Sequence, residues 1–110
     1  MSKRRKILRD IAIQRMVHLY KQALSRLRKG EKDLARRYIE IIIDISRRTR
    51  VKPPRYIKRG FCKKCHIPLI PGLTARVRIQ SEGKGSRVVV TCLECGWIKR
   101  YMIKARRQES

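Results

Sequence analysis

Two stretches decide the fold, Cys62-Lys63-Lys64-Cys65 and Cys92-Leu93-Glu94-Cys95, and they hold all four cysteines of the 110-residue chain. Two residues between cysteines let a tight turn aim both thiolates at one point, and two such turns supply the tetrahedral ligand set that Zn²⁺ prefers. Gly96 directly follows Cys95 and can adopt the positive φ that such a turn needs. The spacing therefore predicts one structural zinc ion held by Cys62, Cys65, Cys92 and Cys95.

Paired cysteines have other uses. Two disulfides would require an oxidising compartment, and the polar, basic start of the chain gives no export signal. An iron–sulfur cluster can use four thiolates but gains no support from this pairing, and redox chemistry at one pair would not explain the second. Four cysteines also close the coordination shell of zinc, so we expect no catalytic water on the metal.

The composition points to a polyanionic partner. Lys and Arg total 31 against 8 Asp and Glu, a formal net charge of +23. A basic surface can serve solubility alone, but a net charge of about 2 to 8 suffices for a small domain. We therefore expect nucleic acid as the partner. No apolar run approaches the roughly 18 residues of a membrane-spanning helix, and we expect a cytoplasmic protein with reduced cysteines.

The first half of the chain has the apolar periodicity of two helices, from about Arg4 to Lys29 and from about Glu31 to Arg48. Gly30 between them suits a left-handed helix stop, which predicts a helical hairpin over residues 1–50. The apolar face is broad, so either the two helices close on each other or a second protein packs on them. The candidate partner-interface residues are Ile11, Leu19, Leu34, Tyr38, Ile41, Ile42 and Ile45.

The second half changes its pattern. Residues 51–59 are basic and contain Pro53-Pro54, which predicts an extended linker. Residues 75–80 alternate apolar and polar positions before a glycine-rich turn at residues 82–86, and further strands are expected at 87–91 and 97–103. Residues 60–103 are therefore predicted to form a three-stranded antiparallel ribbon. Residues 104–110 form a polar tail. The expected fold class is therefore α+β, with a helical hairpin, a basic linker and a zinc ribbon.

Basic residues also mark the predicted ribbon. We expect Arg76, Arg78, Arg87, Lys99 and Arg100 on one exposed face, where guanidinium groups can bind phosphates in a bidentate manner. Five cations on one small face repel each other unless an anion is present. Lys63 and Lys64 lie inside the first cysteine pair and would offset the negative charge of four thiolates and Zn²⁺.

The sequence offers no catalytic constellation. His66 follows Cys65 and is expected to pack beside the metal turn, and His18 has no carboxylate or cysteine at a matching helical spacing. The eight carboxylates are scattered, and the chain lacks a glycine-rich phosphate loop. We therefore expect no catalytic residue on this chain.

Several motifs together resemble the archaeal ribonuclease P protein component 4 family. They are the basic helical hairpin, residues 61–66, Pro71-Gly72, Arg76-Val77-Arg78, residues 90–96 and Lys99-Arg100. Paired cysteines alone fit many zinc ribbons, whereas the combination is more specific, and the likeness covers nearly the whole chain.

The resemblance implies a non-catalytic subunit of the ribonucleoprotein that removes the 5′ leader from precursor tRNA, with cleavage performed by the RNA. It implies one zinc ion on the four cysteines, and a heterodimer with the Sm-like component 1 through the helices. Ribonuclease P RNA and precursor tRNA would be the nucleic-acid partners. The implied RNA-contact candidates are Lys63, Lys64, Arg76, Arg78, Arg87, Lys99 and Arg100.

Three alternatives remain open from the residues. A ribosomal or other ribonucleoprotein zinc ribbon is the first, a DNA-binding transcription-factor ribbon the second, and an independent nuclease the last. The large aliphatic helical face favours a dedicated protein partner, which a ribosomal protein surrounded only by RNA would not need.

Overall fold

The computed structural model describes residues 3–82 and 85–103. The chain divides into two compact units, Met1–Pro68 and Leu69–Ser110. This division differs from the ribbon domain predicted over residues 60–103, since the first cysteine pair belongs to the same unit as the helices. The predicted polar tail, 104–110, lies outside the described residues, as do positions 83 and 84 of the predicted turn.

Two long helices form most of the first unit: α1 spans Lys3–Arg28 and α2 spans Lys32–Thr49. Gly30 between them has a φ of 86°. The amide of Gly30 donates to the carbonyl of Leu27 at 2.9 Å, and the amide of Glu31 donates to the carbonyl of Arg26 at 2.9 Å. This pair of hydrogen bonds is the Schellman pattern that ends a helix at glycine. The predicted hairpin and its glycine stop are confirmed.

The two helices pack on each other through a core to which both contribute. On α1 the core contains Ala12, Met16, Tyr20 and Ala23, while Ile11 is 53% exposed. On α2 it contains Ile39 and Ile42, and Ala35 is also fully buried. Leu34 and Ile41, two of the candidate partner-interface residues, lie outside this core, with 37% and 39% of their surfaces exposed. The three consecutive isoleucines at positions 41–43 do not by themselves show which side of α2 is buried. The small side chain of Ala35 lets the helices approach at positions 35, 39 and 42.

The predicted extended linker contains a further helical turn, α3, at Arg55–Lys58. Pro54 precedes it with φ −53° and ψ 151°, and the amide of Lys58 donates to the Pro54 carbonyl at 2.9 Å. Proline has no amide hydrogen to lose at a helix start, so Pro53-Pro54 permits a helix after it. The turn buries Ile57 completely in the helical core.

The second unit is a three-stranded antiparallel sheet. Strand β1 spans Ala75–Glu82, β2 spans Gly85–Cys92 and β3 spans Ile98–Ile103, in the order β1-β2-β3. The predicted α+β class, with N-terminal helices and a three-stranded antiparallel ribbon, is confirmed. Among the described residues, no helix is both long and apolar enough to span a membrane.

Candidate metal centre

The first cysteine turn follows α3. The amide of Cys62 donates to the Ile67 carbonyl at 2.9 Å, and the amide of His66 donates to the Cys62 carbonyl at 2.9 Å. His66 adopts a left-handed conformation with φ 62°. The amides of Lys64 and Cys65 point at the Cys62 sulfur, at 3.3 and 3.4 Å. Amide hydrogens aimed at a sulfur stabilise its thiolate form.

The second cysteine turn repeats this geometry. The amide of Cys92 donates to the Trp97 carbonyl at 2.7 Å, and the amide of Gly96 donates to the Cys92 carbonyl at 2.9 Å. Gly96 has a φ of 84°, at the position equivalent to His66 in the first turn. The left-handed conformation predicted for Gly96 is therefore confirmed. The same requirement at His66 was missed, although His66 directly follows its cysteine pair just as Gly96 does.

Thr74 holds the second turn in place, a role that the sequence analysis missed. Its side chain is fully buried, and its hydroxyl accepts a 2.9 Å hydrogen bond from the Ile70 amide. Its carbonyl accepts a 2.8 Å hydrogen bond from the Leu93 amide, inside the second cysteine pair. The position of Thr74 shortly after Pro71-Gly72 was the available signal, since threonine commonly bonds to nearby backbone after a turn.

The four cysteines form one cluster. The Sγ atoms of Cys62, Cys65, Cys92 and Cys95 all lie within 4.8 Å of one another. In a regular tetrahedron with metal–sulfur bonds of about 2.3 Å, sulfur atoms are about 3.8 Å apart. Cys62 and Cys92 are fully buried and the other two partly so. Four thiolates at this spacing fit a tetrahedral metal, and the cluster could hold a metal ion.

The two lysines of the first turn have different environments. The Lys63 ammonium donates to the Lys58 carbonyl at 2.6 Å and lies 4.1 Å from the centre of the Phe61 ring. The Lys64 side chain is exposed. Both lie beside the cysteine cluster, as predicted, but the Lys63 charge is held in a fixed position.

Four of the predicted cations share one face of the sheet. Arg78 pairs with Val89 across β1 and β2, and Arg100 pairs with Val89 across β2 and β3. Arg76 and Arg87 occupy the flanking positions on this face. Paired positions bring Cβ atoms within about 5.5 Å, so the arginine stems surround Val89, which is only 8% exposed. We call Arg76, Arg78, Arg87 and Arg100 the arginine face.

The prediction that Lys99 shares this face is wrong. Lys99 pairs with Val90, the residue after Val89, and successive residues of a strand point to opposite faces. On its own face Lys99 lies 5.9 Å above the Tyr101 ring and shares the surface with Val77 and Ile79, which is 71% exposed. Strand assignment alone already excludes a shared face for the adjacent residues Lys99 and Arg100, and the register decides which of the two joins the other arginines.

The seven candidate partner-interface residues differ in their exposure to solvent. Ile11, Leu34 and Ile41 are exposed, and Leu19, Tyr38 and Ile45 are half-buried beside the helical core. Ile42 is fully buried within that core. The exposed and half-buried residues can meet a partner, whereas Ile42 holds the two helices together.

The described structure defines a small basic protein with a helical hairpin and a four-cysteine ribbon. Residues 15–96 match the model of the RNAse P Rpr2/Rpp21/SNM1 subunit domain. The chain belongs to this family of ribonuclease P subunits, and the resemblance inferred from the sequence is confirmed.

Individual relatives agree with this assignment. The chain is 41% identical over 109 residues to ribonuclease P protein component 4 of Hyperthermus butylicus, covering 99% of this chain and 95% of the relative. A chain in a cryo-EM structure of archaeal ribonuclease P with mature tRNA has a TM-score of 0.80 and 41% identity, covering 84% of this chain and 77% of that one. The structure titled Pfu Rpp21 has a TM-score of 0.59 and 41% identity, covering 82% and 97%.

Proposed function

We propose that the chain is the component 4 subunit of an archaeal ribonuclease P, a non-catalytic RNA-binding protein that supports removal of the 5′ leader from precursor tRNA by the catalytic RNA. The observation that carries the proposal is the similarity over nearly the full length to component 4 of Hyperthermus butylicus. The net charge of +23 suits a polyanionic partner.

The metal is proposed to be zinc. Four thiolates and no other ligand suit Zn²⁺ in a closed structural site, where the metal contributes to folding and performs no chemistry. Cys62, Cys65, Cys92 and Cys95 would be the ligands. A reducing cytoplasm would keep these thiolates available to the metal.

The arginine face is the proposed RNA-binding surface of the sheet. Four guanidinium groups around one valine give a dense, bidentate phosphate-binding surface. Lys63 and Lys64 in the other unit are proposed as further contacts. Lys99, on the opposite face of the sheet, is proposed as a weaker contact.

The helical hairpin is the proposed site of a second protein, the Sm-like component 1. Exposed Leu8 and Ile11 on α1 and half-buried Ile45 on α2 line a cavity of about 1130 Å³. Seven cations also line it: Arg4, Arg5, Arg9, Arg15, Arg48, Arg50 and Lys52. Exposed apolar side chains among so many cations suit a protein partner with an acidic surface.

Reconstitution tests the proposal. The catalytic RNA, this chain and the Sm-like partner are combined, and precursor tRNA cleavage is followed at low Mg²⁺. We expect no cleavage by the chain alone and a rise in RNA-catalysed cleavage when both proteins are present. An Ile11→Asp variant should fold normally and lose the effect of the partner, whereas Lys21→Asp, a substitution elsewhere on α1, should retain it.

Purification of the native complex provides the second readout. We expect ribonuclease P RNA to be recovered with the tagged chain. Recovery of ribosomal RNA in its place, or metal-dependent cleavage by the purified chain alone, would overturn the proposal.

A further inference from the structure

A second cavity lies within the unit of residues 1–68, beside the first cysteine turn. Its volume is about 300 Å³. Its apolar wall includes Ile42 and Ile43 from α2, Pro53 from the following segment, and Phe61. Ile43 and Pro53 are only half-buried, so they present accessible surface. The cavity therefore offers an apolar surface to a small, ring-sized group.

Positive charge surrounds this apolar wall. Arg47, Lys52, Lys58 and Lys63 line the cavity, and among its described lining residues none is acidic. The Lys63 ammonium is fixed there, because it donates to the Lys58 carbonyl at 2.6 Å and lies 4.1 Å from the centre of the Phe61 ring. A cation whose position is already fixed loses little side-chain entropy when it binds an anion.

The nearby carboxylates of α2 are engaged with other groups. Glu40 lies 3.5 Å from the His66 ring, and Asp44 lies 3.2 Å from the Arg48 guanidinium. Four like charges around one cavity raise each other's energy unless an anion is bound. The cavity therefore favours a ligand that combines an apolar ring with negative charge.

We propose that this cavity binds one unstacked nucleotide of a single-stranded RNA segment. The base would lie against Ile43 and Pro53, and the adjoining phosphates would contact Arg47, Lys52 and Lys58. Proteins read single-stranded RNA by placing splayed bases on apolar or aromatic surfaces while cations hold the backbone. This inference rests on the proposed RNA-binding function and adds a site to it. An acidic peptide would bring carboxylates without a planar base, and it is one of the outcomes tested.

Filling the cavity provides the sharpest test. In Ile43→Trp an indole occupies the space of the base, while all four cations are retained. The full chain is titrated with a short single-stranded RNA that contains 2-aminopurine and with a duplex of the same sequence. We expect single-strand affinity to fall about fivefold, the low end of the range for one lost base contact, because the accessible wall is aliphatic. Duplex affinity should stay within about twofold, and the change in 2-aminopurine emission should disappear.

Matched controls separate the cavity from the overall charge. Ile7→Trp adds the same indole at an exposed position on α1 and should leave single-strand affinity and emission unchanged. The double variant Lys52→Ala/Lys58→Ala should weaken single-strand binding several-fold more than Lys21→Ala/Lys29→Ala, which has the same net charge. Equal losses of single-strand affinity in the two double variants would mean that only the total charge matters, and they would overturn the proposed site.

Competition identifies the ligand chemistry. Adenosine 5′-monophosphate should displace the single strand at lower concentrations than inorganic phosphate, since only the former carries a base. Equal displacement by both, displacement by oligoglutamate at lower concentrations than the nucleotide, or an Ile43→Trp variant that behaves as wild type would each overturn the proposal. The subunit proposal would still stand in those cases if reconstituted cleavage continued to require the chain.

Discussion

The hydroxyl of Tyr20, in the C-terminal half of α1, donates a 3.2 Å hydrogen bond to the carbonyl of Gly60, 40 positions further along the chain. The ring of Tyr20 also meets that of Tyr56 edge to face, with centroids 6.0 Å apart. Phe61, the next residue after Gly60, belongs to the helical core. Tyr20 thereby fixes the backbone that leads into the first cysteine turn, and the geometry of that turn depends on α1.

A methyl group at position 60 should therefore destabilise the first unit. It would overlap the Tyr20 hydroxyl and lie 2.7 Å from the Tyr56 carbonyl oxygen. We expect Gly60→Ala to lower the free energy of unfolding by about 1 to 3 kcal/mol, the usual cost of overpacking. Gly85→Ala is the control, because among the described residues its methyl would meet only the Met102 side chain, at 4.0 Å. Denaturant unfolding of both variants checks this, and equal stabilities would contradict it.

Stability at high pH provides a second prediction. Burial, and to a lesser extent the neighbouring Tyr56, raises the pKa of Tyr20 above its usual value of 10.0. The unfolded chain therefore releases this proton first, so the contribution of Tyr20 is complete below pH 10 and is lost as the pH rises further. We expect a shallower decline in the free energy of unfolding above pH 10 in Tyr20→Phe than in the wild type. If the free energy of unfolding fell equally with pH in the two proteins, the Tyr20 phenol would not contribute to the pH dependence of stability.

The equivalence of His66 and Gly96 predicts opposite responses to substitution. Both residues have left-handed backbone, with φ 62° and 84°. A side chain costs about 1 to 2 kcal/mol in this conformation, and glycine avoids that cost. We expect His66→Gly to be more stable than His66→Ala by about 1 kcal/mol, although both lose the same imidazole. Gly96→Ala should be less stable than the wild type by a similar amount. Thermal unfolding measures all three, and an alanine variant at position 66 as stable as the glycine variant would refute the idea.

The sequence predicted the elements well and the faces less well. Periodicity, Gly30 and the cysteine spacing are local signals, and they gave both long helices, the three strands and the metal cluster. The buried side of α2 depends on which of three consecutive isoleucines meets Ala12 and Met16, which is a tertiary relationship. In the same way, the face of Lys99 depends on strand register. The contact between Tyr20 and Gly60 joins distant positions, and neither residue carries a motif.

The two faces of the sheet should differ in RNA binding. Arg78 lies on the arginine face, and Lys99 lies on the opposite one. Arg78→Gln and Lys99→Gln remove the same charge, so any difference between them reports position. The slope of log affinity against log salt concentration is negative. We expect Arg78→Gln to reduce the magnitude of this slope by about 0.7 to 0.9, the value of one phosphate contact. Lys99→Gln should reduce it less. Equal slopes in a salt titration of the two variants would place RNA on both faces.

Metal removal should affect the two units unequally. The helical core contains eight buried residues, including Met16, Ile39 and Ile42, whereas Val89 is the only buried aliphatic side chain larger than alanine in the described strands. A structural zinc site contributes roughly 10 to 16 kcal/mol of apparent binding free energy, which is comparable to the whole stability of a small domain. The sheet therefore depends on the cysteine cluster far more than the helices do.

We expect a strong chelator, or Cys92→Ser, to abolish hydrogen-exchange protection in β1, β2 and β3 while much of the helical circular dichroism persists. Added Zn²⁺ should restore protection in the chelated wild type, with one metal ion per chain by elemental analysis. Ser81→Ala, in β1 but remote from the cysteines in sequence, should keep full protection. If the sheet stayed protected without metal, its few apolar contacts and backbone hydrogen bonds would by themselves outweigh the conformational entropy lost when the chain is ordered. That result would contradict the dependence on metal inferred from its small core.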